Sequence, residues 1–153
     1  MPASTTEHYL PDGLPRPVGD IDGLGNEFWE AVNRHELIVQ RCNSCKTWQF
    51  GPEWICNSCL SFDLGYERVS GRGRIFSWER AWYPVHPALK DAGPYVVVLV
   101  ELPDAGNVRM VGNLLGDPLQ EVIIGSEVEV VFEDHTEKEQ PYSLPQWRVT
   151  GHA

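Results

Sequence analysis

The chain of 153 residues can form one ordinary domain, or a compact core that carries a small satellite module. Its 12 basic and 22 acidic residues give a net charge of −10, which disfavours general binding of DNA or RNA, because Lys and Arg neutralise nucleic-acid phosphates. No apolar run is long enough to cross a membrane, and residues 1–17 lack the basic start and apolar stretch of a secretory signal. We therefore expect a cytoplasmic protein with no membrane or nucleic-acid partner.

The first 36 residues are predicted to form an arm and a helix. Residues 1–21 are rich in Pro, Gly and Thr, and we expect a flexible or extended arm that is either a disordered tail or lies on a partner. Residues 22–36 are predicted to form a helix, with Asp22 as its N-cap. The apolar stripe of this helix repeats at intervals of four residues: Leu24, Phe28 and Val32.

Residues 37–66 contain two C-x-x-C pairs of cysteines separated by ten residues. Each pair can form a tight turn, a knuckle, that directs two sulfurs to one point, so two knuckles supply the four thiolates of a zinc ribbon. Iron in a rubredoxin-like site would use the same sulfurs and stays an alternative, whereas a redox C-x-x-C is expected singly, in a βαβ context. The predicted zinc ligands are Cys42, Cys45, Cys56 and Cys59.

The zinc is predicted to organise the fold, since no His or carboxylate is placed to leave an open coordination position. The glycine that usually follows each knuckle is absent, and Lys46 and Leu60 occupy those places. We expect this departure to loosen the hydrogen bonds to the sulfurs and so to weaken metal binding.

The segment between the knuckles is rich in aromatic residues. A ribbon this short has almost no interior of its own, so these rings either pack on the chain's own β-domain or contact a partner protein. The candidate partner contacts are Trp48, Phe50 and Trp54.

Residues 67–153 read as short strands separated by turns, in a chain with 14 glycines and 12 prolines. In the first strand the alternation places Phe76, Trp78 and Trp82 on one face. Five short strands predict a mainly β protein with a small closed barrel of the oligonucleotide/oligosaccharide-binding (OB) type, and a small sandwich is the runner-up. The predicted strands are residues 74–83, 95–102, 108–115, 127–132 and 147–150.

The order of these motifs resembles a known family of zinc-ribbon plus OB-fold proteins, long filed as a domain of unknown function. Its members accompany thiolase-superfamily enzymes that act on acyl-CoA substrates. The resemblance covers roughly residues 24–150, including both cysteine pairs. The other motifs that carry it are Phe28–Ala31, Leu37–Cys42, Gly71–Ser77, Pro94–Val97 with Val100–Leu102, and Ile124–Gly125 before Val128–Phe132.

The resemblance implies a non-catalytic accessory subunit. Such a module docks on a thiolase-like subunit in a hetero-oligomer, stabilises it and helps to form the CoA-thioester site, with the acyl-CoA substrate near the interface. The segment of residues 10–22 also resembles partners of actinobacterial steroid side-chain aldolases, in which a thiolase-like subunit performs a retro-aldol cleavage of a steroid acyl-CoA. On this reading the chain carries structural Zn²⁺ and no organic cofactor of its own.

Three residues outside the ribbon are further candidates. Arg72 and Arg74 flank a glycine and either meet CoA phosphates or are ordinary surface arginines. His86 lies in a loop after a strand and is either a functional loop residue or a solvent or packing histidine. Two alternatives to the accessory function stay open: an OB-fold nucleic-acid binder, and an enzyme that uses His86. No catalytic residue is predicted.

Overall fold

The computed structural model describes residues 2–152, and most of its regular structure is strand. One helix, α1, spans Asn26–Asn33. Among the residues described, no helix is long and apolar enough to cross a membrane. The strands are β1 Ala3–Thr5, β2 Ile38–Cys42, β3 Trp48–Gln49, β4 Leu64–Arg68, β5 Arg72–Ala81, β6 Tyr95–Leu102, β7 Val108–Asn113, β8 Glu127–His135 and β9 Tyr142–Gly151.

The helix begins four residues after the predicted cap. Gly23 has a φ of +78°, a left-handed conformation that cannot continue into a right-handed helix, so residues 20–25 form turns instead. Asp22 still accepts a hydrogen bond from the backbone N–H of Leu24, at 3.1 Å, but within this turn. The predicted stripe holds from Phe28 to Val32, and both side chains are buried in the core.

A small antiparallel sheet of order β3-β2-β4 carries the ribbon. Strand β2 is the middle strand, and its Gln40 lies opposite Gln49 on one side and Tyr66 on the other. Because β2 ends at Cys42, the sheet fixes the position of the first knuckle.

The larger sheet has the order β1-β8-β5-β6-β7, and β9 pairs with β8. The mainly β prediction of a zinc ribbon followed by an OB-fold is therefore confirmed, with β5–β9 as the five strands of the OB-fold. The predicted full closure differs from the structure, since β7 and β9 meet at a single parallel bridge between Leu114 and Trp147. Beside it, the N–H of Leu115 donates to the carbonyl of Trp147 at 2.8 Å.

The prediction that Phe76, Trp78 and Trp82 share one face of the first strand is wrong, because β5 contains a β-bulge. Ile75 lies opposite Val100, but the next paired residue is Ser77, so Phe76 is an extra residue in the ladder. After the bulge the alternation is shifted by one. Ile75 and Trp78 consequently face the core, while Phe76 is exposed. Trp82 is also exposed, but it lies beyond the end of β5 at Ala81, where the alternation no longer applies.

The N-terminal arm lies along the barrel. Strand β1 pairs in parallel with residues 131–133 of β8. Farther on, the Tyr9 hydroxyl accepts a hydrogen bond from the N–H of Val96 at 2.9 Å. The first part of the arm is thus extended and held by backbone hydrogen bonds of the barrel.

Candidate metal centre and surface of the ribbon

The first knuckle, residues 42–47, is closed by its own backbone. The N–H of Cys42 donates to the carbonyl of Thr47 at 2.9 Å, and the N–H of Lys46 donates back to the carbonyl of Cys42 at 3.0 Å. A third N–H, that of Cys45, approaches the sulfur of Cys42 at 3.5 Å. The chain therefore turns tightly enough to place two sulfurs side by side.

The second knuckle, residues 56–61, repeats this arrangement. The N–H of Cys56 donates to the carbonyl of Ser61 at 2.9 Å, and the N–H of Leu60 donates to the carbonyl of Cys56 at 3.1 Å. The N–H of Ser58 approaches the sulfur of Cys56 at 3.4 Å. The two knuckles are joined by a 3.0 Å hydrogen bond between the hydroxyls of Ser44 and Ser61.

The four sulfurs converge. Sγ of Cys42 lies 3.6 Å from Sγ of Cys59, Sγ of Cys45 lies 3.6 Å from Sγ of Cys56, and all four lie within 4.8 Å of one another. A regular tetrahedron with Zn–S bonds of about 2.3 Å requires sulfurs about 3.8 Å apart. The four cysteines are positioned to bind a metal ion, and the closed set of four thiolates is that of a structural site.

Local hydrogen bonds prepare the thiols for metal. The side-chain hydrogen bond between Sγ of Cys45 and Oγ1 of Thr47, at 3.1 Å, lowers the pKa of Cys45 to about 6, and a hydrogen bond with the Thr47 backbone lowers it further. The backbone N–H of Cys45 likewise lowers the pKa of Cys42. At Cys59 the backbone of Ser61 favours the thiolate, but burial and the neighbouring sulfurs outweigh it and raise the pKa to about 12. A metal ion that binds here displaces the proton of Cys59, so its uptake releases acid.

The two residues that replace the usual glycines both adopt the glycine conformation. Lys46 has a φ of 65° and Leu60 a φ of 64°, in the left-handed region that side chains with a Cβ disfavour. Lys46 and Leu60 therefore replace glycine by adopting a strained backbone conformation. The hydrogen bonds that close the two turns measure 3.0 and 3.1 Å, and the N–H groups that approach the sulfurs of Cys42 and Cys56 lie 3.5 and 3.4 Å away. The expected weakening of metal binding stays a prediction.

Two of the three candidate aromatic residues pack on the chain itself. Trp48 lies against Gly106, and the guanidinium of Arg41 stacks on its indole at 4.5 Å. Phe50 packs edge-on against Phe28 of α1, with ring centroids 5.6 Å apart. Both contacts join the ribbon to the main core.

The third aromatic residue, Trp54, is 58% exposed, and its indole N–H donates to Asp22 at 3.0 Å. Two more exposed apolar side chains lie at the second knuckle, Leu60 within it at 67% and Phe62 directly after it at 79%. The sequence could have indicated this exposure, because two apolar residues at a knuckle have no core beside them in which to be buried. We call Trp54, Leu60 and Phe62 the ribbon surface.

Arg72 and Arg74 line an open cleft of about 420 Å³ beside β5. The same cleft is lined by three carboxylates, those of Asp104, Glu127 and Glu129, which outnumber the two guanidiniums. The contact with CoA phosphates stays a prediction, and these carboxylates oppose it electrostatically.

His86 has a structural role that its sequence context did not indicate. Its Nδ1 accepts a hydrogen bond from the N–H of Ala88 at 3.1 Å and so caps the short 3₁₀ turn Pro87–Leu89. This cap occupies Nδ1 alone, and a contact of His86 with a partner or with CoA stays a prediction.

Comparison with known proteins agrees with this architecture. Residues 29–65 match the rubredoxin-like zinc ribbon domain of ChsH2, and residues 66–133 match the ChsH2 C-terminal OB-fold domain. A solved structure described as "Ltp2-ChsH2(DUF35) aldolase" superposes with a TM-score of 0.71 at 34% identity, over 88% of this chain and 98% of that one. The chain belongs to the ChsH2 (DUF35) family. The prediction of a structural Zn²⁺ is confirmed by the family's zinc ribbon and by the convergence of the four cysteines.

Two curated members of the family are longer than this chain. The "Probable enoyl-CoA hydratase alpha subunit" of Thermomonospora curvata is 38% identical over 135 residues, which cover 88% of this chain and 39% of that protein. The "3-oxo-4,17-pregnadiene-20-carboxyl-CoA hydratase alpha subunit" of Mycobacterium tuberculosis is 33% identical over 149 residues, 95% of this chain and 43% of that protein. The chain thus spans about two-fifths of the length of these relatives.

Proposed function

We propose that this chain is a non-catalytic accessory subunit that binds and stabilises a thiolase-like acyl-CoA enzyme. The observation that carries the proposal is the likeness to the ChsH2(DUF35) chain of the aldolase, which extends over 98% of that chain. The curated relatives support the substrate class, because both are named as subunits of enzymes that act on CoA thioesters.

The finer proposal concerns the reaction of the partner. One relative is named for a steroid-derived carboxyl-CoA, and the solved structure is described as an aldolase. We therefore propose that the partner performs a retro-aldol cleavage of a steroid side-chain acyl-CoA, with the substrate near the interface. A ketothiolase partner is the alternative within the same class.

The residues of the chain fit a supporting role. The four cysteines form a closed metal site, which leaves no thiolate for nucleophilic catalysis. His86 is engaged in a turn cap. When bound, zinc supplies folding energy to the ribbon, and the chain's own residues then hold the exposed side chains of the second knuckle in place.

We propose the ribbon surface as the docking face. Residues 37–66 contain two basic and two acidic side chains, whose charges cancel, so the formal net charge of −10 lies on the rest of the chain. Four thiolates with one Zn²⁺ add a charge of only −2 to the ribbon. A protein interface favours aromatic and aliphatic side chains at its centre and few charges. We propose that Trp54, Leu60 and Phe62, which are all exposed on the weakly charged ribbon, form such a centre.

Co-expression with a thiolase-like subunit tests the function, and a matched pair of tryptophans tests the face. Trp54 on the ribbon and Trp82 on the barrel are similarly exposed, at 58% and 66%. We expect Trp54→Ala to weaken the complex by about 30-fold, as for a central aromatic anchor worth about 2 kcal/mol, and Trp82→Ala to change it less than about threefold.

The outcomes separate the two levels of the proposal. Absence of any complex, with no gain in solubility or activity of the thiolase-like subunit, would refute the accessory function. A complex that depends on Trp82 and tolerates Trp54→Ala would retain the function and refute the docking face. Binding of single-stranded DNA at physiological salt would favour the nucleic-acid alternative instead.

A further inference from the structure

A buried polar cluster lies at the end of β8, away from the ribbon. Glu133 is 2% exposed and His135 is 8% exposed. Oε1 of Glu133 accepts a hydrogen bond from Nε2 of His135 at 2.7 Å, while its Oε2 accepts the backbone N–H of Tyr9 at 3.0 Å. A carboxylate inside the OB-fold is thus partly satisfied by the N-terminal arm.

The arm adds a second histidine to this cluster. The ring of His8 stacks on that of His135 with centroids 3.8 Å apart, and His135 stacks in turn on Tyr142 at 4.5 Å. Nδ1 of His8 lies 3.2 Å from a carboxylate oxygen of Asp12, and its Nε2 lies 3.2 Å from the backbone carbonyl of Asp134.

Both partners of His8 can only accept hydrogen bonds, so both ring nitrogens must donate, and only the imidazolium has two N–H groups. His135 needs one N–H, at Nε2, to bind Glu133, and its Nδ1 has no partner among residues 2–152. The geometry is that of a cation from the arm stacked on the ring of His135, which is itself bonded to Glu133.

Charged side chains from the arm and from the loop after β8 surround His8. Within the arm, Asp12 faces it; from the loop after β8, Glu137 lies 3.7 Å from its Nε2, and Lys138 is held between Asp12 and Glu137 at 3.8 and 3.6 Å. Burial lowers the pKa of His8, but the hydrogen bonds to Asp12 and to the carbonyl of Asp134 and the charge of Glu137 outweigh it, so that the pKa is raised.

Two further side chains complete the surroundings. Glu133 from β8 adds a negative charge near His8. The carboxylate of Asp134 is engaged with His35, whose Nε2 lies 2.7 Å away. His8 therefore contacts the backbone carbonyl of Asp134 and not its side chain. The three nearby ligand atoms of His8, His135 and Glu137 suit a metal poorly, because stacked imidazoles direct their lone pairs in parallel and not to one point.

We propose that His8 is a proton-operated latch that holds the N-terminal arm on β8. When His8 loses its proton, one of its two acceptors loses its donor and the attraction to Asp12 and Glu137 disappears. Because its folded pKa is raised, the stabilisation is fully present below the unfolded value of 6.5 and is lost as the pH rises through the folded pKa.

Release of the arm would uncover specific groups. It would free residues 131–133 of β8 from their pairing with β1, and would remove the Tyr9 N–H from Glu133. It would also open a cavity of about 100 Å³ that residues 10–17 of the arm help to line, together with Glu133, His135 and Gln146. The latch therefore controls whether water and cations reach a buried carboxylate.

Amide hydrogen exchange of the zinc-loaded full chain tests the latch. At about pH 6 and about pH 8.5, after correction for intrinsic rates, the protection of the Tyr9 and Val96 amides reports whether the arm is docked. We expect protection to fall about tenfold across this range, the size of one charge-assisted hydrogen bond, and the pH dependence to vanish in His8→Gln. The matched control His152→Gln, at an exposed histidine, should behave as the wild type.

A titration of the His8 ring by NMR gives an independent check. A pKa above 6.5 that returns to the ordinary value when Asp12 is changed to Asn supports the latch. Protection that is independent of pH in the wild type, or a pH dependence that persists in His8→Gln, would overturn it. A His8 pKa at or below 6.5 would overturn it as well. None of these readouts depends on the partner subunit.

Discussion

The strained residues of the two knuckles allow a quantitative test of the ribbon. Lys46 and Leu60 have φ values of 65° and 64°, and a left-handed conformation costs a residue with a Cβ roughly 1–2 kcal/mol. Glycine removes this cost but makes the unfolded chain more flexible, which offsets about 0.4–1 kcal/mol. Each change to glycine should therefore stabilise the ribbon by about 0.5–1 kcal/mol.

The double variant Lys46→Gly with Leu60→Gly should gain about 1–2 kcal/mol. For a chain of this length that corresponds to a rise of about 4 °C in melting temperature, measured by calorimetry with zinc in excess. Both side chains are exposed, and Leu60 is 67% accessible, so little packing is lost. Hydrogen exchange that follows the ribbon and the barrel separately should show a larger increase in protection for amides of the ribbon.

Alanine at the same two positions is the matched control. Lys46→Ala and Leu60→Ala remove the long side chains but keep the Cβ that causes the strain, so their melting temperatures should stay near that of the wild type. If the glycine variants melt at or below the alanine variants, backbone strain is not what limits the knuckles and the reasoning is refuted.

Three other perturbations follow from the structure. Cys42→Ser removes one of four thiolates and should abolish stoichiometric zinc binding and unfold the ribbon, as measured by metal analysis and near-UV circular dichroism. Gly73→Ala should cost about 1–3 kcal/mol, since a Cβ there would lie 2.3 Å from Cγ1 of Val100 and 2.9 Å from a backbone carbonyl. The hydrogen bond from the indole N–H of Trp54 lowers the pKa of Asp22, so this bond is fully present above pH 3.8, the ordinary pKa of an aspartate. The NMR signal of the Trp54 indole should therefore shift as the pH falls through the lowered pKa of Asp22.

Each of these has a control. Cys42→Ser is compared with Ser58→Ala, which changes an exposed side chain of the second knuckle and removes no ligand. For Gly73→Ala the control is the exposed Ser77→Ala of the same strand, and equal stability of the two would contradict the close packing of β5 on β6. Asp22→Asn should remove the acid shift of the Trp54 signal; a shift that remains would assign it to another group.

The metal site and the limits of β6 were predictable because their signals are local. A C-x-x-C pair determines its own turn within four residues, and β6 was predicted at its observed limits because eight residues, seven of them apolar, stand between two prolines. The bulge at Phe76 was not predictable, since it depends on the register between β5 and β6, which alternation within one strand does not reveal. Trp82 is exposed because it lies just beyond the end of β5, and α1 starts late because Gly23 has a positive φ.

The His8 cluster was missed for a different reason. Its members meet across the whole chain: the contact between His8 and the carbonyl of Asp134 joins residues 126 positions apart. The sequence shows only an isolated histidine in a proline-rich arm and a run of charges after a strand. Nothing in either segment indicates that they stack, because the pairing is set by the parallel addition of β1 to β8.

The repetition of one knuckle geometry has a consequence for making the protein. Residues 42–47 and 56–61 close by the same backbone hydrogen bonds, and each offers half of a tetrahedral ligand set. During refolding, a zinc ion held by one half-site can be completed by the other half-site of the same chain or by that of a neighbouring molecule. Concentrated chains should therefore yield metal-bridged dimers, and dilution before zinc is added should favour monomers.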